Sequence, residues 1–361
     1  MNTRRLFLSR TVRSFAAAGL ARFVPGLAQD APPELTPFLT PYKFGKLILA
    51  KSDEPNAFDS KSVDCPFVFH HNGTFYMTYV GYDGIGYQTG LASSADLIHW
   101  QRLGCILRRD PASKITRFNI ALMWILRENA LSSAGNLIRV GGEFLGAWHA
   151  YPNPGYEAGP AVIGLARSRD LMHWELGAPV LRPDDPDAAP WEQGGLYKPC
   201  LLHEHGLYYL FYNAKTMPDP ALHGGWHEQI GVATSPDLHH WTRYSGNPIL
   251  RNGAPGSWDD RFASDPCVLQ HGRMWAFYYY GLSSAGGKAR DLLALSSDLY
   301  HPVKVDRILV DAGPPGSVDD DFAHKPSLVT KDRALYHFYC AVSGKYPNDV
   351  RGISVARSQP W

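Results

Sequence analysis

The chain has 361 residues and a formal net charge of +1, a balance that indicates neither a nucleic-acid partner nor an anionic membrane. Its length suffices for one large domain or two medium ones. The 19 tyrosines, 16 phenylalanines, 10 tryptophans, 34 glycines and 28 prolines favour an all-β protein with many turns.

The first 28 residues have the pattern of an export signal. Paired arginines precede an apolar residue in "TRRLFLS", and a modestly apolar stretch then ends in the small residues before Gln29. That stretch is too short, and too interrupted by Arg22, to span a membrane permanently. We expect a twin-arginine signal peptide over residues 1–28, a linker over 29–44, and a periplasmic or secreted protein with no membrane contact after signal removal.

The cysteines do not form a disulfide framework. They are odd in number and widely spaced, and none belongs to a C-x-x-C pair that would indicate zinc. We expect Cys65, Cys105, Cys200, Cys267 and Cys340 to be reduced thiols that act as small core residues.

A repeat organises the rest of the chain. Its turn reads "ASSADLIHW", "ARSRDLMHW" and "ATSPDLHHW" at Trp100, Trp174 and Trp241, with weaker copies ending at Pro302 and Trp361. A short strand such as "PVLRPD" follows each complete copy, and the one missing after the fifth copy has a counterpart at the front, "KLILAKS" over Lys46–Ser52. The sequence therefore predicts a five-bladed β-propeller over residues 45–361, whose ring is closed by an N-terminal strand that completes the last blade.

An acidic residue stands seven positions before the proline that opens four of the blades. These residues are Asp59, Glu192, Asp259 and Asp319, and Glu128 takes the place in blade two. Because the acid recurs around the ring, we interpret it mainly as a turn or loop-capping residue.

The two residues directly before the same proline differ from blade to blade. They are Asp64-Cys65, Tyr197-Lys198, Ser264-Asp265 and His324-Lys325, with Ser133-Ala134 expected in blade two. The first strand of a propeller blade is the innermost, so we expect these residues to ring the mouth of the central channel. Ionisable groups crowded there perturb one another's pKa, which is how acid/base sites are built.

On these motifs the chain resembles the five-bladed propeller glycoside hydrolases of family 43 and its relatives. It shares Asp64-Cys65-Pro66, Asp265-Pro266 and the S-x-D-L-x-x-W turns with them. The catalytic glutamate of family 43 is replaced by Tyr197-Lys198, and its second-blade Asp-Pro is absent. The site pattern is closer to family 117, in which a histidine is the general acid.

This resemblance implies an acid/base glycosidase that acts on an oligo- or polysaccharide. Asp64 is the predicted base, Asp265 is predicted to hold sugar hydroxyls and tune the acid, and His324 is the predicted acid. His324 is alternatively a metal ligand, in which case Glu192 is the next acid. The chemistry requires no cofactor, and a structural or channel metal ion stays open, as does the oligomeric state.

Other side chains on this face suit sugar binding. Trp191 and Trp258 are predicted to stack on a sugar ring, and polar contacts are expected from Lys198, Lys325, His149, His227 and Glu228. Two alternatives remain at this point. One is a glycoside phosphorylase of the family 130 type, with Lys198, Lys325 and Arg290 as a phosphate cluster, and the other is a non-catalytic sugar-binding propeller.

Overall fold

The computed structural model describes residues 34–222, 225–345 and 348–361, and its compact propeller unit runs from Thr36 to Trp361. The predicted signal peptide lies outside the described residues. The unit begins before the expected boundary at residue 45, because the preceding segment is packed. Phe38 is buried, and the Thr40 hydroxyl oxygen lies 3.2 Å from Nδ1 of His337.

The strands of the described chain fall into five consecutive blades. A short strand, β1 (Tyr42–Lys43), comes first. Blade one contains β2 (Ser62–His71), β3 (Thr74–Tyr82), β4 (Tyr87–Ser94) and β5 (Gln101–Leu107). Blade two contains β6 (Ala121–Ile125), β7 (Arg139–Val140), β8 (Glu143–Ala150), β9 (Val162–Ser168) and β10 (Glu175–Leu181).

The last three blades follow the same plan. Blade three contains β11 (Gly195–Glu204), β12 (Leu207–Lys215), β13 (Glu228–Ser235) and β14 (Thr242–Arg243). Blade four contains β15 (Phe262–His271), β16 (Met274–Leu282), β17 (Ala289–Ser296) and β18 (Val303–Lys304). Blade five contains β19 (Phe322–Lys331), β20 (Ala334–Ser343) and β21 (Val350–Arg357). Short 3-10 turns cover Thr36–Phe38 and Pro190–Glu192.

The N-terminal segment supplies the outer strand of blade five, as the sequence predicts. β1 pairs antiparallel with β21, and Leu49 then bridges Ile353 further along the same strand. Blade five also contacts blade one, since the Val68 amide donates to the Ser327 hydroxyl at 3.0 Å. The all-β, five-bladed propeller is thus confirmed.

In four of the blades the repeated acid links the second strand to the outer strand, which explains its recurrence. Each one accepts a hydrogen bond at 2.7–3.1 Å from a tyrosine in the second strand of its blade, in the pairs Asp59–Tyr79, Glu192–Tyr212, Asp259–Tyr279 and Asp319–Tyr339. Each also pairs with a basic side chain of the outer strand, namely Arg102, Arg243, Lys304 and Lys43 in the same order. Lys43 of β1 therefore fills in blade five the position that the fourth strand fills elsewhere.

Blade two departs from the expected alignment. Its innermost strand is β6, which lies in the stretch "ITRFNIALMWILRENA" and pairs with β8. Ser133 is therefore not at the channel mouth. Its hydroxyl donates to Glu128 at 2.6 Å, and its carbonyl accepts from Thr330 at the opposite end of β19.

The cysteines and the S-x-D-L turns have scaffold roles. All five cysteines are free thiols, and each except the half-buried Cys105 is buried. In the first turn, Asp96 accepts from the amides of Ile98 and His99 at 2.9 and 2.8 Å, and the Trp100 ring nitrogen donates to the Leu97 carbonyl at 3.1 Å. Among the described residues, no helix is long and apolar enough to cross a membrane.

Candidate functional site

Four blades carry the same irregularity where their first strand meets the repeated proline. The pairing register shifts there, and the residue before the proline takes the left-handed conformation, with φ of 52° at Cys65, 51° at Lys198, 58° at Asp265 and 70° at Lys325. Non-glycine residues adopt this conformation rarely and at an energetic cost. The bulge re-aims two successive side chains in each blade toward the channel mouth.

Charges from several blades meet at this mouth. The Lys325 ammonium lies 2.9 Å from Oδ2 of Asp64 and 3.4 Å from Oε1 of Glu157. Arg351 lies 3.5 Å from the same Asp64 oxygen, and the Lys198 ammonium lies 3.6 Å from Oδ2 of Asp265. The expected convergence of the blade-start residues therefore occurs, with Glu157 as an additional member.

Asp64 is a fully engaged counter-ion. The side chain is 1% exposed, Oδ1 accepts the Cys65 amide at 2.7 Å, and Oδ2 faces the two cations. Burial acts to raise the pKa of Asp64, but Lys325 and Arg351 overcome it and hold the pKa well below its usual range. These contacts make Asp64 an ion-pair partner of Lys325 and Arg351, and its role as the base stays a prediction.

Asp265 has the opposite environment. Burial raises its pKa to about 6, against the lowering effect of Lys198 and Lys325 and with a further rise from Glu228 and Glu157. Oδ1 lies 3.0 Å from the hydroxyl oxygen of Ser264. Oδ2 has no hydrogen-bond donor within the described chain. Asp64 and Asp265 thus differ in protonation behaviour although both stand at blade openings on the same channel mouth.

His324 does not fit the predicted protonated acid. Burial and the neighbouring Lys325 lower its pKa well below the ordinary value, and Asp64 opposes this only in part. Nδ1 lies 3.1 Å from the Cys340 carbonyl oxygen, so Nδ1 carries the proton of a neutral ring. The sequence-based assignment assumed that neighbouring carboxylates dominate, whereas the cations and the burial do. Among the described residues, no group of three or more His, Cys, Asp or Glu side chains is arranged to hold a metal ion.

Glu192 and Trp191 belong to the scaffold of blade three. Both carboxylate oxygens of Glu192 are used, because Tyr212 and Arg243 donate to Oε1 and the Ala189 amide donates to Oε2 at 2.7 Å. The Trp191 ring stacks on Tyr212 with an interplanar angle of 11°. Trp258 is half-buried in the equivalent loop of blade four, and its carbonyl oxygen lies over Gly281. The predicted alternative acid and the two predicted stacking rings are not among the residues that line the pocket between blades two and three.

We expect Glu192→Gln to reduce stability without affecting catalysis. The change removes the charge that faces Arg243, and hydrogen bonds to charged groups contribute about 1.5–3 kcal/mol each. Urea unfolding should show a loss of this size, while kcat stays within about twofold of the unmodified protein at a temperature where both are folded. A large fall in kcat in the folded variant would return Glu192 to the catalytic site.

A pocket of about 500 Å³ opens beside the channel mouth, between the loops of blades two and three. Its walls are formed by Tyr156, Glu157, Gly159, Pro160, Gly194, Lys215, Thr216, Met217, Pro218, Trp226 and Glu228. The volume is usual for a small-molecule site. Two carboxylates line this space, Glu157 from a loop of blade two and Glu228 from the start of β13 in blade three.

Glu228 is a buried carboxylate with four donors. Oε2 accepts from the hydroxyl of Ser264 at 2.8 Å, from the amide nitrogen of Asn213 at 3.2 Å and from the hydroxyl of Tyr280 at 3.3 Å. Oε1 accepts from the ring nitrogen of Trp226 at 3.0 Å. Glu228 begins β13, which is paired in parallel with β15 at Phe262, so blades three and four fix its position together.

Glu157 lies on the more open side of the pocket. Its side chain is 35% exposed, and its backbone is left-handed, with φ of 52°. Oε1 lies 3.3 Å from the Tyr87 hydroxyl and 3.4 Å from the Lys325 ammonium, and neither of these contacts involves Oε2. Sequence reasoning did not single out Glu157. The available signal was that it is the one acidic residue in the loop "PNPGYEAG".

Several buried polar atoms near the two glutamates lack a hydrogen-bond partner within the described chain. They are the hydroxyls of Tyr151 and Tyr197, Oδ1 of Asn213 and Oδ2 of Asp265. The Lys215 ammonium lies over both tyrosine rings, 5.1 and 5.7 Å from their centroids. Buried polar groups are normally paired, so a cluster of unpaired ones requires an explanation.

The predicted polar contacts divide between the channel and the pocket. Lys198 and Lys325 are channel cations whose charge is retained, since the neighbouring acids outweigh the effect of burial and raise the pKa of both. His149 is buried and neutral, because burial and the lysines around it lower its pKa. Burial also lowers the pKa of His227, whose amide donates to the Thr216 hydroxyl at 3.1 Å beside the pocket. Glu228 is in the pocket, as predicted.

A second concavity, of about 570 Å³, adjoins the first at Pro160. It is lined by Lys114, Arg182, Asp184, Gln193 and several apolar residues. It contains one carboxylate where acid/base hydrolysis needs two groups, so the first pocket is the better active-site candidate.

Comparisons with known proteins support a carbohydrate-active enzyme. A family model described as the glycosyl hydrolases family 32 N-terminal domain matches residues 136–306. An uncharacterized protein of Mycobacterium tuberculosis (strain CDC 1551 / Oshkosh) is 28% identical over 167 residues, which are 45% of this chain and 44% of that protein. The chain therefore matches less than half the length of this curated relative.

Two solved structures match almost the whole chain. One, described as a BT0996 RGII complex, is 29% identical with a TM-score of 0.77, and the match covers 89% of this chain and 92% of that one. Another, described as a glycoside hydrolase, is 28% identical with the same TM-score of 0.77 and covers 90% and 93%. A family 117 glycoside hydrolase of Zobellia galactanivorans, 14% identical with a TM-score of 0.60 over 87% and 90%, shares the fold.

Proposed function

Because the chain resembles glycosidases of the five-bladed propeller type, we propose that it is a glycosidase and that it hydrolyses a glycosidic bond held between Glu157 and Glu228. The observation that carries this proposal is the pair of carboxylates, from two different blades, that line one pocket. Glycoside hydrolysis needs a proton donor at the leaving oxygen and a second carboxylate across the bond.

Glu228 is the group that acts on the sugar carbon or activates water. Hydrogen-bonding groups of Ser264, Asn213, Tyr280 and Trp226 converge on its two oxygens. The same contacts fix its orientation, which favours a reaction that depends on positioning. Its burial keeps competing water away from one face.

Glu157 is the proton donor to the leaving group. It stands on the open side of the pocket, from which the leaving part of the substrate departs. Tyr87 and Lys325 hold its Oε1, and Oε2 is left to meet the glycosidic oxygen. The left-handed backbone at this residue is the kind of local strain that clusters at functional sites.

The unpaired polar atoms of Tyr151, Tyr197 and Asn213 suit the hydroxyl groups of a sugar. Asn213 uses its nitrogen for Glu228, so its Oδ1 is an acceptor, and the hydroxyls of Tyr151 and Tyr197 can donate or accept. A sugar supplies the matching donors and acceptors. The ring of Trp226, on the pocket wall, offers an apolar face to the same ligand.

A phosphorylase has weaker support. The proposed phosphate cluster of Lys198, Lys325 and Arg290 is already occupied by carboxylates, since Arg290 pairs with Asp311 at 2.9 Å and the two lysines pair with Asp265 and Asp64. A phosphate ion would have to displace these internal partners at a cost in desolvation and lost pairing.

The substrate is proposed to be a plant or bacterial oligosaccharide with a terminal sugar that enters the pocket. Because one of the similar structures is described as an RGII complex, an oligosaccharide from RGII is the first to test. The experiment is a screen of aryl glycosides and this oligosaccharide, each with and without inorganic phosphate. Release of free sugar that is unaffected by phosphate supports hydrolysis, and release only with phosphate overturns it.

We further propose export by the twin-arginine route. Replacing Arg4 and Arg5 by lysine should abolish export and leave the protein in the cytoplasm with its N-terminal segment uncleaved. Cell fractionation followed by mass measurement of the mature N-terminus checks this, and a start near Gln29 is expected for the unmodified protein. Unchanged export of the double variant would contradict the proposal.

A further inference from the structure

One hydroxyl lies between two buried carboxyl groups at the channel mouth. Oγ of Ser264 is 2.8 Å from Oε2 of Glu228 and 3.0 Å from Oδ1 of Asp265. Ser264 is fully buried, and the two acids are 3–4% exposed. All three atoms are therefore close enough for hydrogen bonds and shielded from solvent, where such bonds are strongest.

A serine hydroxyl has one proton to donate. If Asp265 and Glu228 are both ionised, Ser264 can satisfy only one of them, and the other oxygen faces a lone pair. If Asp265 carries a proton on Oδ1, that proton is donated to Ser264 Oγ, and the Ser264 proton is donated to Glu228. The second arrangement forms both hydrogen bonds at the observed distances.

From this geometry we infer that Asp265, in its protonated form, is a positioning residue that orients Glu228 through Ser264. The inference rests on the function proposed above for Glu228. It assigns Asp265 a different role from the predicted contact with sugar hydroxyls. This role involves no bond breaking, because the two arrangements differ only in the protonation of Asp265 and in the direction of its hydrogen bond to Ser264.

The surroundings of Asp265 agree with a proton on it up to about pH 6. Burial raises its pKa to about 6, as noted above. The titratable groups around it are Cys65, Tyr151, Glu157, Lys198, Glu228, Tyr280 and Lys325. The two lysines favour the ionised form, and the two glutamates and the burial favour the protonated one, so Asp265 changes state within the range in which enzymes are assayed.

The test is the alkaline limb of the pH dependence of kcat. In the unmodified protein we expect kcat to fall about tenfold per pH unit above about 6, as Asp265 loses its proton. In Asp265→Asn the amide donates to Ser264 at every pH, so this limb should move up by at least about one pH unit while kcat near pH 5 is retained within a few-fold. In Ser264→Ala the limb attributed to Asp265 should also disappear, with a uniformly lower kcat.

Ser354→Ala is the matched control, because Ser354 is a fully buried serine that donates to the Lys46 carbonyl far from the site. Its alkaline limb should coincide with that of the unmodified protein. Limbs that stay in place in both Asp265→Asn and Ser264→Ala would overturn the inference.

A spectroscopic measurement keeps the inference testable if a variant fails to fold or no glycoside is turned over. Infrared difference spectra between pH 5 and pH 8 should contain a protonated-carboxyl band in the unmodified protein that titrates near pH 6. The band should be present in Glu157→Gln, which isolates Asp265 from the proposed acid. Absence of any such band would contradict a protonated Asp265 even if hydrolysis itself is confirmed.

Discussion

Glu228→Gln is expected to lower kcat by about 10²–10⁴-fold on every substrate that the enzyme cleaves, with little change in KM. The variant keeps the size of the side chain but removes the charge that attacks carbon or activates water. The new side-chain amide of the variant is a donor surrounded by four donors of the protein. The hydroxyls of Ser264 and Tyr280 can rotate to accept a hydrogen bond from it. Steady-state kinetics and isothermal titration with the uncleaved ligand measure the two effects separately.

Glu192→Gln serves as the control for this variant, because it is the same substitution at a buried glutamate with comparable hydrogen bonding. A folded Glu228→Gln protein that turns over substrate at more than about a tenth of the normal rate would exclude Glu228 from the reaction.

Glu157→Gln is expected to have an effect that depends on the leaving group. For substrates with a poor leaving group, such as an alkyl or sugar alcohol, kcat should fall by about 10²–10⁴-fold, because the leaving oxygen needs a proton. For an aryl glycoside with a strongly acidic phenol, the rate of bond cleavage should be nearly unaffected. A plot of log kcat/KM against the pKa of the leaving phenol checks this, and its slope should be steeper in the variant.

An equal loss for good and poor leaving groups would contradict the acid role of Glu157. If Glu228→Gln showed the leaving-group dependence instead, the two roles would be reversed while the pocket stayed the site. Asp64→Asn, in contrast, should act through Lys325, which would lose its closest carboxylate and shift toward Glu157.

The architecture was predictable because the contacts that stabilise each blade are formed between residues of the same turn or the same blade. A turn such as Asp96 to Trp100 is closed by its own side chains, and the recurring acid bonds to a tyrosine in its own blade. Because the same contacts are needed in successive blades, the same residue types recur at equivalent positions of the repeat. The missing outer strand of blade five and its counterpart near the front of the chain then indicated closure of the ring.

The catalytic pocket was only partly predictable, because its residues lie where the blades do not repeat. Glu157 is in a loop of blade two and Glu228 begins a strand of blade three, and no periodic signal relates them. Blade two also has an unusual first strand that lacks the proline, which displaced the expected position of Ser133.

The roles expected of Asp64 and His324 depended on charges that sequence alone does not place. Asp64 is held ionised by Lys325 of blade five and by Arg351 of β21, far away in the chain. His324 has a carboxylate nearby, as expected, but burial and its own neighbour Lys325 have the larger effect on its pKa. The sign of such shifts follows from three-dimensional neighbours and burial together.

The central claim is tested most directly by a crystal structure of Glu228→Gln with an oligosaccharide that the unmodified protein cleaves. We predict that the scissile oxygen lies within hydrogen-bond distance of Glu157, that the sugar carbon faces residue 228, and that the sugar hydroxyls contact Tyr151, Tyr197 or Asn213. A productive complex seated instead in the cavity lined by Lys114 and Arg182, or on Asp64 and His324, would contradict it.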